Sequence, residues 1–392
     1  MVLFALLFVW CPLFGIIVYA LFLNHRKEVP VTDLWSLALM LSLYLGGLAV
    51  TKELLGDFLE YHRYFQDVPN YTLSSYILRF GKEPLFYGYT YLSYYLFMGN
   101  WNLYVISITT ANYLLLSYCI LKIGTYLNAT VNTLMVSLFF MAFFFQEFAA
   151  IGNMLRQGLA QSMTLAFLVR WYIVGKRSWW LAVCALATHT SCLPVLGIGL
   201  FPLLQKRLEL VTFIRFCGVV AILAGLFFAV GGLLSNLPFI GYIFERISNT
   251  EQLLSADSWQ TEVGLQPSML VLLFLLGYMI FSLYRSDLLR EEDSRLYIFI
   301  NLNLMLLLMM VVCNVFGMYY LLMRYFFYLY AFQNSLFVIY LHESAFLQKT
   351  VVYLSIVCVM MGYFFYNFTT NIFDYIPVVE AVVYPLPVYL FI

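Results

Sequence analysis

Apolar runs approaching twenty residues recur along this 392-residue chain, and they restrict its fold more than any other feature. Residues 3–23, 34–54, 103–121, 130–146 and 157–174 carry almost no charge. A helix needs ~20 apolar residues to cross the hydrocarbon core of a bilayer. Inside lipid only helices and closed barrels satisfy their own backbone groups, and a barrel would show ~10-residue segments of alternating polarity, which are not evident. With 64% hydrophobic and 10% charged residues, against about 25% charged in a soluble domain, the chain reads as an all-α, polytopic integral membrane protein forming one domain over residues 1–392. A formal net charge of zero leaves no basic footprint for nucleic acid. The seven cysteines lie singly in apolar runs, without metal-ligand spacing, and read as small core residues. The first run has no basic leader and no small-residue cleavage site, so it reads as a retained span.

Cytoplasmic loops of membrane proteins carry an excess of Lys and Arg. Placing Arg26-Lys27, Lys122, Arg170 with Lys176-Arg177, Lys206-Arg207 with Arg215, Arg285 with Arg290 and Arg295, and Lys349 inside accounts for 13 of the 20 cations. The N-terminus is then outside, as are loops 55–82 and 233–266 and the tail 369–392. Residues 83–98 are dense in tyrosine, and amphipathic aromatics favour the membrane interface; a helix lying on the outer face is expected there. Residues 178–205, between two basic clusters, are too few for two full spans. They suffice for two half-length helices meeting at 188–194, a membrane-embedded break of the kind tolerated inside protein or beside a water-filled cavity. The alternative is one tilted span with Lys206-Arg207 outside. Some 10–12 transmembrane helices result, including the broken pair.

Seven cations remain on the outer side: Lys52, Arg63, Arg79, Lys82, Arg156, Arg246 and Arg324. Snorkelling explains Lys52 at the end of a span. Arg156 and Arg324 each open an inward-running helix, where free N–H groups and the helix dipole already attract anions. An arginine there suits phosphate or carboxylate, and two such sites facing one cavity would suit a diphosphate. An ion pair with Glu147 or a loop carboxylate is the plainer reading, and Arg246 in the long outer loop is ambiguous. Asn153, Arg156/Gln157, Ala160/Gln161 and Thr164 recur at helical spacing and form a polar stripe that faces a partner helix or a cavity. His189, among Thr188, Thr190 and Ser191, suits proton transfer or phosphate contact, and equally a buried histidine satisfied by hydroxyls. Asp57 and Glu83 flank the first outer loop and could serve as general base for a sugar hydroxyl; Tyr61 shares a helical face with Asp57 if that loop is helical.

These pieces together resemble the EpsG family of bacterial polysaccharide polymerases, the Wzy-type O-antigen and capsule polymerases. The matching features are Asp57-x-x-x-Tyr61 after the second span, Glu83 further on, Arg156-Gln157-Gly158-Leu159-Ala160, the run 181–187 ending in Thr188-His189-Thr190-Ser191, Arg324-Tyr325, and Tyr384-Pro385-Leu386-Pro387. The resemblance implies a GT-C-like helical enzyme of the bacterial inner membrane, working on its periplasmic side on undecaprenyl-diphosphate-linked oligosaccharides. The growing glycan passes to the non-reducing end of a new lipid-linked unit, without metal or other cofactor. A Wzz-type chain-length regulator is the expected partner. Arg156 and Arg324, with Arg246, Gln157, Asn153 and Tyr61 nearby, would hold substrate; Asp57 or Glu83 would be the base, with His189 close by. Two rival functions fit less well. A transferase using a polyprenyl-monophosphate sugar would place acidic residues in the first outer loop and often need a divalent metal. A flippase of lipid-linked sugars would spread its cations through a central cavity.

Overall fold

The computed structural model describes residues 2–26, 28–80, 83–208, 215, 218, 222, 267–285, 294–315, 319–343, 350–370 and 375–392. The described residues are helical, with no strand among them. They fall into two compact units, one formed by Met1–Leu200 and Tyr330–Ile392, the other by Phe201–Leu329.

In the first unit α1 (Val2–Trp10) and α2 (Pro12–His25) replace the single first span that the apolar run predicts. Pro12 has no N–H to give the preceding turn and its ring clashes with that turn's carbonyl. The chain breaks at Cys11, and Gly15 comes so close to the Phe8 backbone that a Cβ would stand 2.7 Å from it. α3 (Val31–Val50) and α7 (Trp101–Tyr126) are each long and apolar enough to cross a membrane. They pack along one another through Gly46, where a Cβ would lie 2.8 Å from Thr110 Oγ1 and 3.0 Å from the Ile106 carbonyl. Small residues let helices approach closely when water supplies no hydrophobic drive between them. α8 (Val131–Phe143) and α9 (Phe145–Asn153) form a third candidate span, bent by 51° at Phe144. These apolar helices are compatible with a membrane protein.

The stretch expected as the first outer loop is itself helical. It folds as α4 (Gly56–Asp67), a 3₁₀ turn (Val68–Asn70) and α5 (Leu73–Phe80). The face α4 buries is Phe58, Tyr61 and Phe65, and Asp57 is left exposed in its first turn. The tyrosine-rich stretch is α6 (Pro84–Leu96), helical as expected. Its rings mostly pack protein. Tyr87 and Phe80 stack with centroids 5.0 Å apart, Tyr94 meets Phe65 at 5.1 Å, and the Tyr89 hydroxyl bonds Ser107 Oγ at 2.6 Å.

α10 (Leu155–Tyr172) follows α9 after a break at Met154. α11 (Trp179–Thr188) and α12 (Cys192–Gly199) are the two short helices expected, meeting at residues 189–191. The C-terminal tail closes onto α3. A 3₁₀ turn (Leu386–Leu390) lays Tyr389 against Gly47, and the hydroxyls of Tyr44 and Tyr389 both donate to the Ala381 carbonyl.

The second unit contains a 3₁₀ turn (Pro202–Gln205), α13 (Pro267–Arg285) and α14 (Ser294–Val315). Asn301 of α14 donates to the carbonyls of Leu204 and Lys206, both at 2.8 Å. α15 (Tyr319–Glu343) begins in this unit and ends in the first, where α16 (Thr350–Thr370) and α17 (Val378–Val383) also lie.

Candidate active site at the ends of four helices

The break at Met154 is what presents Arg156. Met154 adopts φ −126°, ψ 65°, which ends α9 and restarts the chain as α10, leaving Arg156 in the first turn. Its guanidinium meets α4 and α6. Nη1 donates to Glu83 Oε2 at 2.5 Å and to the Tyr87 hydroxyl at 3.3 Å; Nε donates to the Tyr61 hydroxyl at 3.2 Å. Cζ also lies 5.3 Å from the centre of the Tyr61 ring, within range for attraction between a cation and an aromatic face.

Glu83 is placed by Pro84. A proline at the first helical position has no N–H that needs a partner and its fixed φ suits the helix entry, so Glu83 becomes the residue flanking α6. Glu83 sits at φ −142°, ψ 70°, and its side chain is 6% exposed. The second carboxylate oxygen, Oε1, lies 3.3 Å from His189 Nδ1. His189 closes α11. Its own N–H bonds the Ala185 carbonyl, and the Ser191 N–H donates to Nδ1 at 3.3 Å. One ring nitrogen therefore faces both an acceptor and a donor, so the state of the Nδ1 proton depends on the charge of Glu83. Burial, the largest influence, lifts the Tyr87 hydroxyl well above its ordinary range despite the nearby arginine, and the Glu83 charge adds to the rise. Tyr87 remains a protonated donor.

α4, α6, α10 and α11 thus bring Tyr61, Glu83, Arg156 and His189 together, residues spread over some 130 positions of sequence. Gln157 is buried beside Arg156 on α10, and Asn153 is half-buried at the end of α9. The polar stripe of α10 turns inward. Gln157, Ala160, Gln161 and Thr164 are buried, and Gly158 fits against Asn112 of α7, whose Nδ2 would sit 2.7 Å from a Cβ.

Other expected residues have surroundings of their own. Asp57 is exposed, and its electrostatic partner is Lys52. Glu147, a plausible partner for Arg156 from sequence, instead accepts from Asn334 Nδ2, 3.0 Å from each oxygen. α9 directs it away from the break into the core, where it is 1% exposed. Arg324 is half-exposed and belongs to the second unit. It does not open its helix, because Tyr319–Met323 continue the helical pattern ahead of it. Arg246 lies outside the described residues. Among the described residues, no group of three or more His, Cys, Asp or Glu is placed to hold a metal ion.

Sequence reasoning missed two members of the neighbourhood. Tyr87 had a signal, since it lies one helical turn after Glu83. Lys52 had none, because a lysine ending a span reads as an anchor in water; it is 4% exposed. The family model described as the EpsG family matches residues 34–379, most of the chain. No curated protein and no solved structure matches it.

Proposed function

The chain belongs to the EpsG family, and from that premise we propose that it is a polysaccharide polymerase. It moves a growing glycan from undecaprenyl diphosphate to the non-reducing end of a new lipid-linked oligosaccharide at the outer face of a bacterial inner membrane. The observation that carries this reading is the Glu83–Arg156–His189 cluster at the ends of α6, α10 and α11.

An acceptor hydroxyl attacks the anomeric carbon of the donor, and the bond from that carbon to the diphosphate oxygen breaks. The leaving diphosphate carries the negative charge away. Arg156, at a helix N-terminus, holds it; charge-assisted bonds to a phosphate from a fixed guanidinium are among the strongest available. The hydroxyl's proton goes to the Glu83–His189 pair, whose hydrogen bond orients the imidazole. Asp57, exposed and facing Lys52, is the weaker candidate for base. Before substrate arrives, Glu83 neutralises Arg156. An entering diphosphate takes over the guanidinium and frees the carboxylate to accept a proton, so leaving-group binding and base activation are one event.

The test is lipopolysaccharide or capsule banding in a strain lacking this gene, complemented with wild type or Arg156→Ala. Wild type restores a polymer ladder. The variant leaves single-unit glycolipid at normal protein level, with ladder reduced at least 100-fold. A full ladder from Arg156→Ala removes Arg156 from the leaving-group site. Loss of even the single-unit product in the deletion strain overturns the polymerase reading in favour of a flippase or an earlier transferase.

A further inference from the structure

A lysine at the end of a transmembrane helix ordinarily runs its alkyl stem along the helix and places its ammonium in water. Lys52 follows the C-terminus of α3 and does the opposite, lying buried under α4 and α9. Its Nζ is 5.0 Å from the centre of the Phe58 ring. Phe58 and Tyr61 are three residues apart on the buried face of α4, hence neighbours with Cβ atoms ~5–6 Å apart. Tyr61 carries the Arg156 guanidinium at 5.3 Å. Two cations therefore lie on adjacent rings of one helix face. A second line of geometry agrees. Lys52 Cδ is 3.9 Å from where a Cβ on Gly152 would stand, and Gly152 precedes Arg156 by four residues across the Met154 break. A Cβ at 152 would be in ordinary contact with the lysine stem.

We propose that Lys52 and Arg156 form a two-cation clamp for a lipid diphosphate, each taking one phosphate. The proposal rests on the polymerase reading and deepens it by naming the second cation. Three residues of helix, ~4.5 Å of rise, separate the positions that carry the two rings, and the phosphates of a diphosphate share a single bridging oxygen. The clamp lies wholly in the first unit.

A buried ammonium has a titration to match. Burial lowers Lys52 to about 7, and Asp57, facing it from α4, partly opposes the fall. The Tyr375 hydroxyl, 4.0 Å from the same Gly152 position, is another titratable group on that side. A bound anion would draw the proton back. Binding should therefore weaken as pH rises through 7, because above it the site must take up a proton to regain its charge.

The experiment measures binding of inorganic pyrophosphate to the purified full-length protein at pH 6.5 and 8.5. The proteins are wild type, Lys52→Met, Lys52→Arg and Arg156→Gln. Ionisation of the ligand is common to all four, so the ratio of variant to wild type at each pH reads the side chain. Lys52→Met is expected to bind at least 10-fold more weakly at pH 6.5, with the gap narrowing at pH 8.5. Lys52→Arg is expected to match wild type at pH 6.5 and to bind about 10-fold more tightly than wild type at pH 8.5. A lysine that merely neutralises the carbonyl end of α9 would leave both ratios near one. If Lys52→Met fails to fold, Lys52→Arg decides alone, and a wild-type pH response from it overturns the clamp. Weakened binding by Arg156→Gln beside unchanged Lys52 variants removes Lys52 and leaves the polymerase reading intact. Unchanged binding by all variants, or none by wild type, overturns the reading and the clamp together.

Discussion

Among the described residues of the first unit two carboxylates are buried, Glu83 and Glu147, and their surroundings could hardly differ more. Glu83 has a charged partner, Arg156 at 2.5 Å, and a titratable one, His189 at 3.3 Å, on two other helices, and the arginine side chain keeps 23% of its surface exposed. Glu147 has a neutral partner, the Asn334 amide, and is sealed at 1% exposure. A carboxylate whose charged partner is partly open to solvent can trade it for a ligand. A carboxylate closed by an amide inside the core ties elements together; here it fixes α9 to α15, and α9 is the arm that ends at the Met154 break. The first is placed to do chemistry. The second holds the piece of backbone that positions the first.

The sharpest way to break this contrast is to neutralise each carboxylate in turn. Glu83→Gln preserves shape and can still accept from Arg156, but it takes no proton and no longer tunes His189. General-base contributions are typically 10²–10⁴-fold, so polymer formation per folded molecule should fall by about that factor, read from ladder density against protein level. Glu147→Gln should stay within about 3-fold of wild type. Equal losses from the two substitutions would end the distinction.

The next effect is on stability alone. Asn334→Leu leaves Glu147 buried without its donor, and an unsatisfied buried polar group costs about 1–3 kcal/mol, more when charged. The melting temperature of the purified protein should drop, with activity per folded molecule preserved. Replacing both partners with apolar groups can be nearly neutral, so adding Glu147→Leu to Asn334→Leu should recover most of the loss. A double variant as unstable as the single one would mean that Glu147 serves something beyond its amide.

Much of the fold was legible in the sequence because its signals are local. Apolar length marks α3 and α7, and the short interval between basic clusters anticipates α11 and α12 with His189 at their junction. Arg156 and His189 were singled out for being polar where polarity is costly, and Glu83 as a possible base flanking the first outer loop. Their mutual contact was not legible, since it depends on how α4, α6, α10 and α11 converge, and no spacing encodes that. Arg156 had two candidate carboxylates, and the bend at Phe144 decides between them by rotating Glu147 into the core. Pro12 was visible, yet a run long enough to span hid the break it makes. Lys52 misled for a related reason: sequence places a lysine at a helix end but does not record that α4 folds back over it.

Lys52 also sharpens the comparison through its effect on folding. If the charges near Arg156 serve a ligand, they should sit at some expense to the fold, unlike the satisfied Glu147–Asn334 pair. Lys52 titrates at about 7 in the folded chain, against an ordinary value of 10.5. Between these values the unfolded chain holds a proton that the folded chain has released. Stability rises with pH wherever the unfolded state binds more protons, so Lys52 contributes a rise from pH 7 toward 10.5 and a constant penalty below 7, where both states are protonated. The melting temperature of wild type should climb by a few degrees from pH 7 to pH 9. Lys52→Met, of similar length and without charge, should flatten that climb and melt higher than wild type at pH 7. Asp57→Asn should steepen the penalty, because Asp57 supports the charged form. A Lys52→Met protein that melts lower than wild type at pH 7 would instead place Lys52 beside Glu147, among the groups that hold the structure together.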